Sequence, residues 1–580
     1  MPRQRVTLVA VFVLLSACLP GCAPEGPPPV ETGDPGRPVR GGDLLVALLG
    51  DVDSWNPYTA QDSTSAGILD LLYPRLLLET GFADGTTSFE PWLASSWQFS
   101  PDRLRLTFHL RPESRWSDGA PVTCGDVRFT YEIQVSEELA WPGAFLKERI
   151  REVDCPDDHT AVFHFTEAYP DQLLDANDDA IVPVSYRSVP REEWTATSWE
   201  RRAVSCGPFR LASVRPGQEA VLERNPDWWG ASGTYPDRII LRVYPGSSGP
   251  LPRFLAGDVD LIAKVPPLRA AEVEAEPSLR LVELPSLSYT FLGWNVLAPG
   301  SYSRDRRARG CAPGARCSED DQDIHRLQRE HPHPILSDAR VRRALTLAID
   351  RDDLVNGLWA GHARTGTTPI VSALWAHDPS ASFPFDPERA SRLLGEAGWR
   401  YPQGSSVLER DGEVLELRVI VNAENKVRRD ALQRVAANLS RLGVRLIPEP
   451  LPRGEFVARA RDKDFDVVLS GWWAGTRIEP QNLLHTRAAA ARGNNLVSWS
   501  TPESDSLLER AEAATTRDDA LPHWLAWQAI YHEEQPLTIL YEEKRLLGTS
   551  RRIQGPTPSF LNPFQNLWRW WIEESPRSVP

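Results

Sequence analysis

The residues best suited to chemistry lie in one run, Phe465 to Glu479, FDVVLSGWWAGTRIE. Gly471, Trp472 and Trp473 end an apolar stretch, and Arg477 and Glu479 follow closely. Two indoles offer flat apolar surface for a guest, a guanidinium can meet a carboxylate or phosphate at two points, and a carboxylate can meet an ammonium. This is equipment for holding a solute. Trp55 and Tyr58 in DVDSWNPY, and Asn494, Asn495 and Trp499 in GNNLVSW, are further aromatic and polar candidates, with turn formation as the alternative role of the polar ones. Neither G-x-S-x-G, H-E-x-x-H nor a P-loop occurs, so no nucleophile elbow, zinc helix or nucleotide cradle can be indicated. His331-Pro332-His333-Pro334 lacks converging carboxylates or thiolates, and neither a metal nor a cofactor is expected.

These residues need elements to hold them. FDVVLSGWW reads as a buried strand, and open α/β sheets bind ligands beyond the carboxyl ends of their strands. Leu415 to Val421, Asp430 to Leu442 and Val444 to Pro448 read as strand, helix and strand, which implies parallel pairing. Leu104, Leu106, Phe108 and Leu110 alternate with polar residues, Ser117-Asp118-Gly119 supplies a turn, and Thr123 with Asp126 starts a helix. Thr160 to Phe165 alternates again, so a small α+β lobe is expected from about Ala60 to Val184. Leu44 to Leu49 reads as a buried strand, Ile68 to Leu78 as a helix, and the polar stretch from Ala298 to His333 as an exposed loop. From Asp338 to Gly361 two helices are expected, with Val341, Ala344, Leu345, Ala348 and Ile349 on one stripe and Asp350 capping the second. Phe385 to Trp399 reads as a helix with Pro387 in its first turn and Gly398 past its end.

The stretch from Phe108 to Thr130, which contains RWSDGAPVTCGDVRFT, resembles the signature of family 5 extracytoplasmic solute-binding proteins, the peptide- and nickel-binding subunits of ATP-binding-cassette importers. Further segments are similar to that family in the same order, among them EPWLASSW from Glu90, SCGPF from Ser205, LERNPDWW from Leu222, LAGDVDLI from Leu255, the Asp338–Gly361 helix pair and GNNLVSWSTPESDSLL from Gly493. The resemblance covers nearly all of residues 41–545 and implies an α/β fold, a two-lobed periplasmic-binding-protein type II clamp with an inserted third α+β lobe. It also implies that the loop after Trp473 faces ligand, where peptide-binding members carry an acidic residue for the ligand's amino group. Here Gly475, Thr476 and Arg477 stand there instead, leaving Glu479 close by.

A formal charge of −15 over 580 residues disfavours nucleic acid, because phosphate binding needs a basic surface. Arg3 and Arg5 precede the apolar run Val6–Ala17, which is shorter than the roughly 20 residues of a membrane span, so residues 1–22 read as a signal peptide. Leu15-Ser16-Ala17-Cys18 and Leu19-Pro20-Gly21-Cys22 both resemble the lipobox of bacterial lipoproteins; Cys18 is preferred because proline two places before a cleavage site is awkward, and Cys22 stays open. Residues 23–40 read as a flexible tether. Cys124 with Cys155, and Cys311 with Cys317, are possible disulfides, and the pairing of Cys206 is open.

The expected organisation is a first domain from 41–59, 185–268 and 511–580, an inserted lobe at 60–184 and a second domain at 269–510. The expected function is that of an extracytoplasmic, lipid-anchored, monomeric subunit that closes on a peptide or peptide-like solute and passes it to a membrane permease. The rivals are a sensory lipoprotein that presents ligand without import and, with less to support it, a secreted hydrolase.

Overall fold

A computed structural model of the chain describes residues 38–573, apart from 61, 83–84, 140, 191–192, 195–198, 202, 247–248, 312–323 and 491–492. The signal peptide, both lipobox cysteines and all but the last residues of the tether lie outside the described residues.

Three sheets organise the rest. In the first, the order is Leu279–Leu284, Arg545–Ser550, Leu261–Ile262, Asp43–Leu48, Arg238–Val243, Glu219–Arg224 and Phe209–Arg215. Asp43–Leu48 is apolar on both faces, as a strand covered from both sides must be: Leu44 and Val46 join one core, and Leu45 and Ala47 join another with Phe254 and Val265. It pairs in parallel with both of its neighbours.

The second sheet has the order Ala363–Arg364, Leu537–Glu543, Ser288–Trp294, Val467–Trp473, Glu416–Asn422 and Arg445–Leu451. The parallel unit expected near residue 415 is present: Glu416–Asn422 and Arg445–Leu451 pair in parallel and are joined through the helix Lys426–Ser440. That helix starts four residues earlier than its apolar pattern suggests, because the Asn425 side chain accepts the Arg428 N–H at 3.0 Å. Asp350 and Asp386 cap the helices Arg351–Trp359 and Pro387–Glu396 in the same way.

The third sheet, Ala94–Phe99, Arg105–Leu110, Thr160–Phe165 and Ile150–Asp157, is antiparallel and belongs to the inserted lobe. Leu106, Phe108 and Leu110 are buried on one face, and Gly119 turns with φ of 89°. The helix Cys124–Gln134 then begins with Asp126 accepting the Thr123 N–H at 2.7 Å. A disulfide joins Cys124 to Cys155 and so ties this helix to the strand Ile150–Asp157.

Three expectations are corrected, and the open question of Cys206 is answered. Ile68–Leu78 is not one helix: Asp62 caps a shorter one, Ser63–Leu69, Pro74 cannot continue it, and Leu77–Gly81 pairs as a strand with Thr87–Pro91. The stretch 298–333 is not simply an exposed loop. It contains the helices Ser301–Ala308 and Ile324–Glu330, and Tyr302, Ile324 and Leu327 share a small core with Leu297 and Ala489. The return to the first sheet comes later than residue 511, since Leu537–Glu543 still pairs with Ser288–Trp294 in the second sheet and only Arg545–Ser550 joins the first. Cys206 is a buried free thiol, whereas Cys311 is disulfide-bonded and Cys317 lies outside the described residues.

The chain thus passes between the first two sheets at two closely placed points, 285–287 and 544. His333 stands within the second lobe, buried, with one ring nitrogen 3.1 Å from Asp466 and the other accepting the Ile335 and Leu336 N–H groups. Both of its nitrogens are therefore used inside the protein.

Candidate ligand cleft

Strand Val467–Trp473 loses its cover towards its end, passing from buried Val467, Val468 and Leu469 to Trp473, which is 67% exposed. Gly471 allows that exit. A Cβ there would fall 2.1 Å from the Arg428 guanidinium and 3.1 Å from the Tyr289 carbonyl oxygen, so no larger residue fits without rearrangement.

The strand end opens on a cavity of about 480 Å³ walled by all three sheet regions. Tyr289, Trp472, Trp473, Arg477 and Glu479 come from the second lobe, Phe145 and Asp178 from the inserted lobe, and Arg545 from the first sheet. Its size is within the range of roughly 300–1,000 Å³ usual for small-molecule sites. Phe145, itself 60% exposed, belongs to a short 3-10 turn, Ala144–Lys147. A smaller hollow of about 290 Å³ shares Phe145, Leu146, Arg477, Ile478 and Glu479 with the first, so the crevice continues past Arg477.

Charge in the wall is largely matched internally. Arg477 reaches from the second lobe to Asp175, with Nε at 2.9 Å and Nη2 at 2.5 Å from Oδ1, and to Asp178 at 3.3 Å. Burial works against its charge, but Asp175 and Asp178 outweigh that and hold its pKa above the ordinary value. Arg75 donates to Asp70 at 3.2 Å and to the Asp178 carbonyl. Glu79 and Glu479 are pushed up, chiefly by burial, with nearby arginines pulling the other way. Among the described residues, Glu79 Oε1 is buried without a hydrogen-bond partner.

The other sequence candidates are placed elsewhere. Trp55 and Tyr58 are buried behind the wall: the Trp55 carbonyl accepts from the hydroxyl of Tyr73, which does line the cavity, and the Tyr58 hydroxyl donates to the Ala180 carbonyl at 2.9 Å. Asn495 is buried and donates to the carbonyls of His485 and Trp499, the Trp499 indole donates to Glu534 at 3.3 Å, and Asn494 is exposed outside the cavity lining. Conversely, Arg75, Glu79, Trp92, Phe145, Asp178 and Arg545 line the cavity without having been singled out from sequence. The cluster Asp175, Asp178 and Asp179 was a visible signal, because so dense an acidic group in an apolar neighbourhood requires cations.

Residues 88–495 match the model of the bacterial extracellular solute-binding proteins, family 5. The oligopeptide-binding protein AppA of Bacillus subtilis is 24% identical over 591 residues, covering 99% of this chain and 100% of that protein. The dipeptide-binding protein of Escherichia coli is 23% identical over 542 residues, covering 89% and 92%. The solved structure of Bacillus subtilis AppA in complex with a nonapeptide superposes with a TM-score of 0.67 at 23% identity, covering 92% of this chain and 100% of that one. The fold is therefore that of the two-lobed type II periplasmic binding proteins, with a third lobe carried on the first. Such proteins bind their solute for transport rather than transform it, and this chain is not an enzyme. With the matched model spanning most of the chain and a cleft walled from every lobe, the protein belongs to family 5 of the bacterial extracellular solute-binding proteins.

Proposed function

We propose that the protein is the lipid-anchored capture subunit of an ATP-binding-cassette importer, taking a peptide or peptide-like solute into the cleft and delivering it to the permease. The anchor is assigned to Cys18, with Cys22 as the alternative, and the protein acts as a monomer. One observation carries the reading: two largely exposed aromatic side chains, Trp473 and Phe145, line one cavity from different lobes. Water-exposed aromatic surface on both sides of a crevice favours closure once a guest is between them, because the guest then gains contacts in the closed form that the open form lacks. Moving such an equilibrium from 1:99 to 99:1 takes about 5.5 kcal/mol of differential affinity. That relatives in Bacillus subtilis and Escherichia coli are oligopeptide- and dipeptide-binding proteins supports the solute class.

The test is small-angle scattering of the purified protein before and after saturation with peptides from a casein digest. A smaller radius of gyration on saturation is expected, and an unchanged one would refute closure. Metabolic labelling with palmitate in cells expressing Cys18→Ala or Cys22→Ala separates the two anchor sites, with loss of label expected only for Cys18→Ala.

A further inference from the structure

Three guanidinium groups line the cavity, and they differ in their partners. Arg75 is matched by Asp70, and Arg477 by Asp175 and Asp178. Arg545 has none. It is partly buried at the start of strand Arg545–Ser550, in register with Leu284 beside the chain crossing, and among the described residues it makes neither an ion pair nor a side-chain hydrogen bond. Burial lowers its pKa from the ordinary arginine value, and an arginine so placed stays charged at neutral pH.

A charged group stripped of part of its water and given no counter-ion is a standing cost that an incoming anion relieves. Much of the surrounding wall is apolar, including Trp92, Trp472, Trp473 and Phe560, so water competes poorly for the guanidinium once a guest fills the space. The wall also fixes the kind of anion. Glu79 and Glu479 line the same cavity, which disfavours a doubly charged phosphate, while a planar carboxylate presents one charge and two acceptors that fit the fork of an arginine. We propose that Arg545 is the residue that receives a carboxylate of the solute, so that the cleft selects molecules ending in a free carboxylic acid. The assignment rests on the cleft being the binding site but can fail independently of the peptide reading.

The test uses immobilised full-length protein, wild type, Arg545→Gln and Arg545→Lys, each offered a casein digest and the same digest after methyl esterification. Captured peptides are eluted and quantified by mass spectrometry. Wild type is expected to retain the free acids at least about tenfold better than the esters, the loss expected when a charge-assisted bond is removed. Arg545→Gln should retain both equally weakly, and Arg545→Lys should recover part of the preference, with neither variant melting below the wild type. Equal retention of acids and esters by the wild type, or undiminished preference in Arg545→Gln, overturns the carboxylate assignment and leaves the peptide reading intact. If neither digest is captured, the peptide reading fails, and the same columns are offered indole-3-acetate, benzoate and their amides. Preferential retention of the acids by wild type but not by Arg545→Gln then supports the anion site alone, and no preference overturns it.

Discussion

The two walls of the cleft are built on different plans. The inserted-lobe wall carries its acidic side chains on the short helix Gln172–Ala176 and the turn after it, in a lobe stapled by the Cys124–Cys155 disulfide, and Asp175 and Asp178 are committed to a cation from across the gap. The facing wall is the end of a central strand, where Trp472 and Trp473 emerge from a largely apolar run and Trp473 keeps most of its surface in water. One wall is charged, for the most part paired with arginines and covalently braced. The other is aromatic and left uncovered. The contrast indicates a division of labour in which the braced side sets geometry and the strand end supplies contact area for a guest.

Removing the brace should produce the largest effect. The disulfide closes a loop of 31 residues, and chain entropy alone gives about 4 kcal/mol for a loop of that length. The double variant Cys124→Ala, Cys155→Ala is therefore expected to lose hydrogen-exchange protection across Arg105–Leu110 and Thr160–Phe165 while Val467–Leu469 keeps its protection. Equal loss in both regions would break the contrast, because the two walls would then unfold as one.

Next in size is the ionic contact between the walls. Arg477→Ala leaves Asp175 facing a low-dielectric wall without its cation, which costs about 3 kcal/mol at the lower end of the range for broken buried pairs. The ligand-free variant should show a larger radius of gyration than the wild type and a lower urea midpoint. If only the midpoint moves, the pair stabilises the fold without holding the walls together.

Much of this architecture can be read from short-range pattern. The strand at 467, the capped helix after Thr123 and the parallel unit after Glu416 follow from periodicity and end signals contained within some thirty residues. Where such signals compete, reading fails: the apolar run from Ile68 to Leu78 suits a helix until Pro74 and the pairing partner Thr87–Pro91 are considered. The charged composition of 298–333 hides the few residues, Tyr302, Ile324 and Leu327, that give it a core. Electrostatic roles are less legible still. Arg477 looks free in sequence, yet its partner Asp175 lies 302 positions away, while Arg545 looks like one more strand-flanking charge and is the unmatched cation of the cavity wall. Both are partly buried; what separates them is a carboxylate partner across the gap, and that is a property of the assembled walls.

The aromatic wall is sharpened by Trp473→Ala. An exposed indole adds little to folding, so the melting temperature should stay within a degree of the wild type, whereas retention of casein-digest peptides should weaken roughly thirtyfold, equivalent to about 2 kcal/mol. A change in stability without a change in retention would move Trp473 from the binding surface to the fold.

The smallest effect lies in the acidic wall and depends on pH. Burial raises the Asp179 carboxyl to about 6, with Arg75 drawing it down, Asp178 pushing it up and Lys147 weakly opposing. In the unfolded chain the same group titrates near 4. Folding therefore favours its protonated form, so its favourable contribution is complete below about pH 4 and is lost as pH rises through about 6. Between pH 5 and pH 7 that loss amounts to about 1 kcal/mol. Asp179→Asn keeps the shape and removes the titration, so the urea midpoints of variant and wild type should lie closer together at pH 5 than at pH 7, the variant being the more stable at pH 7. Parallel midpoints across that range would mean that Arg75 keeps Asp179 ionised in the fold, and the acidic wall would then be fully charged where the strand-end wall is apolar.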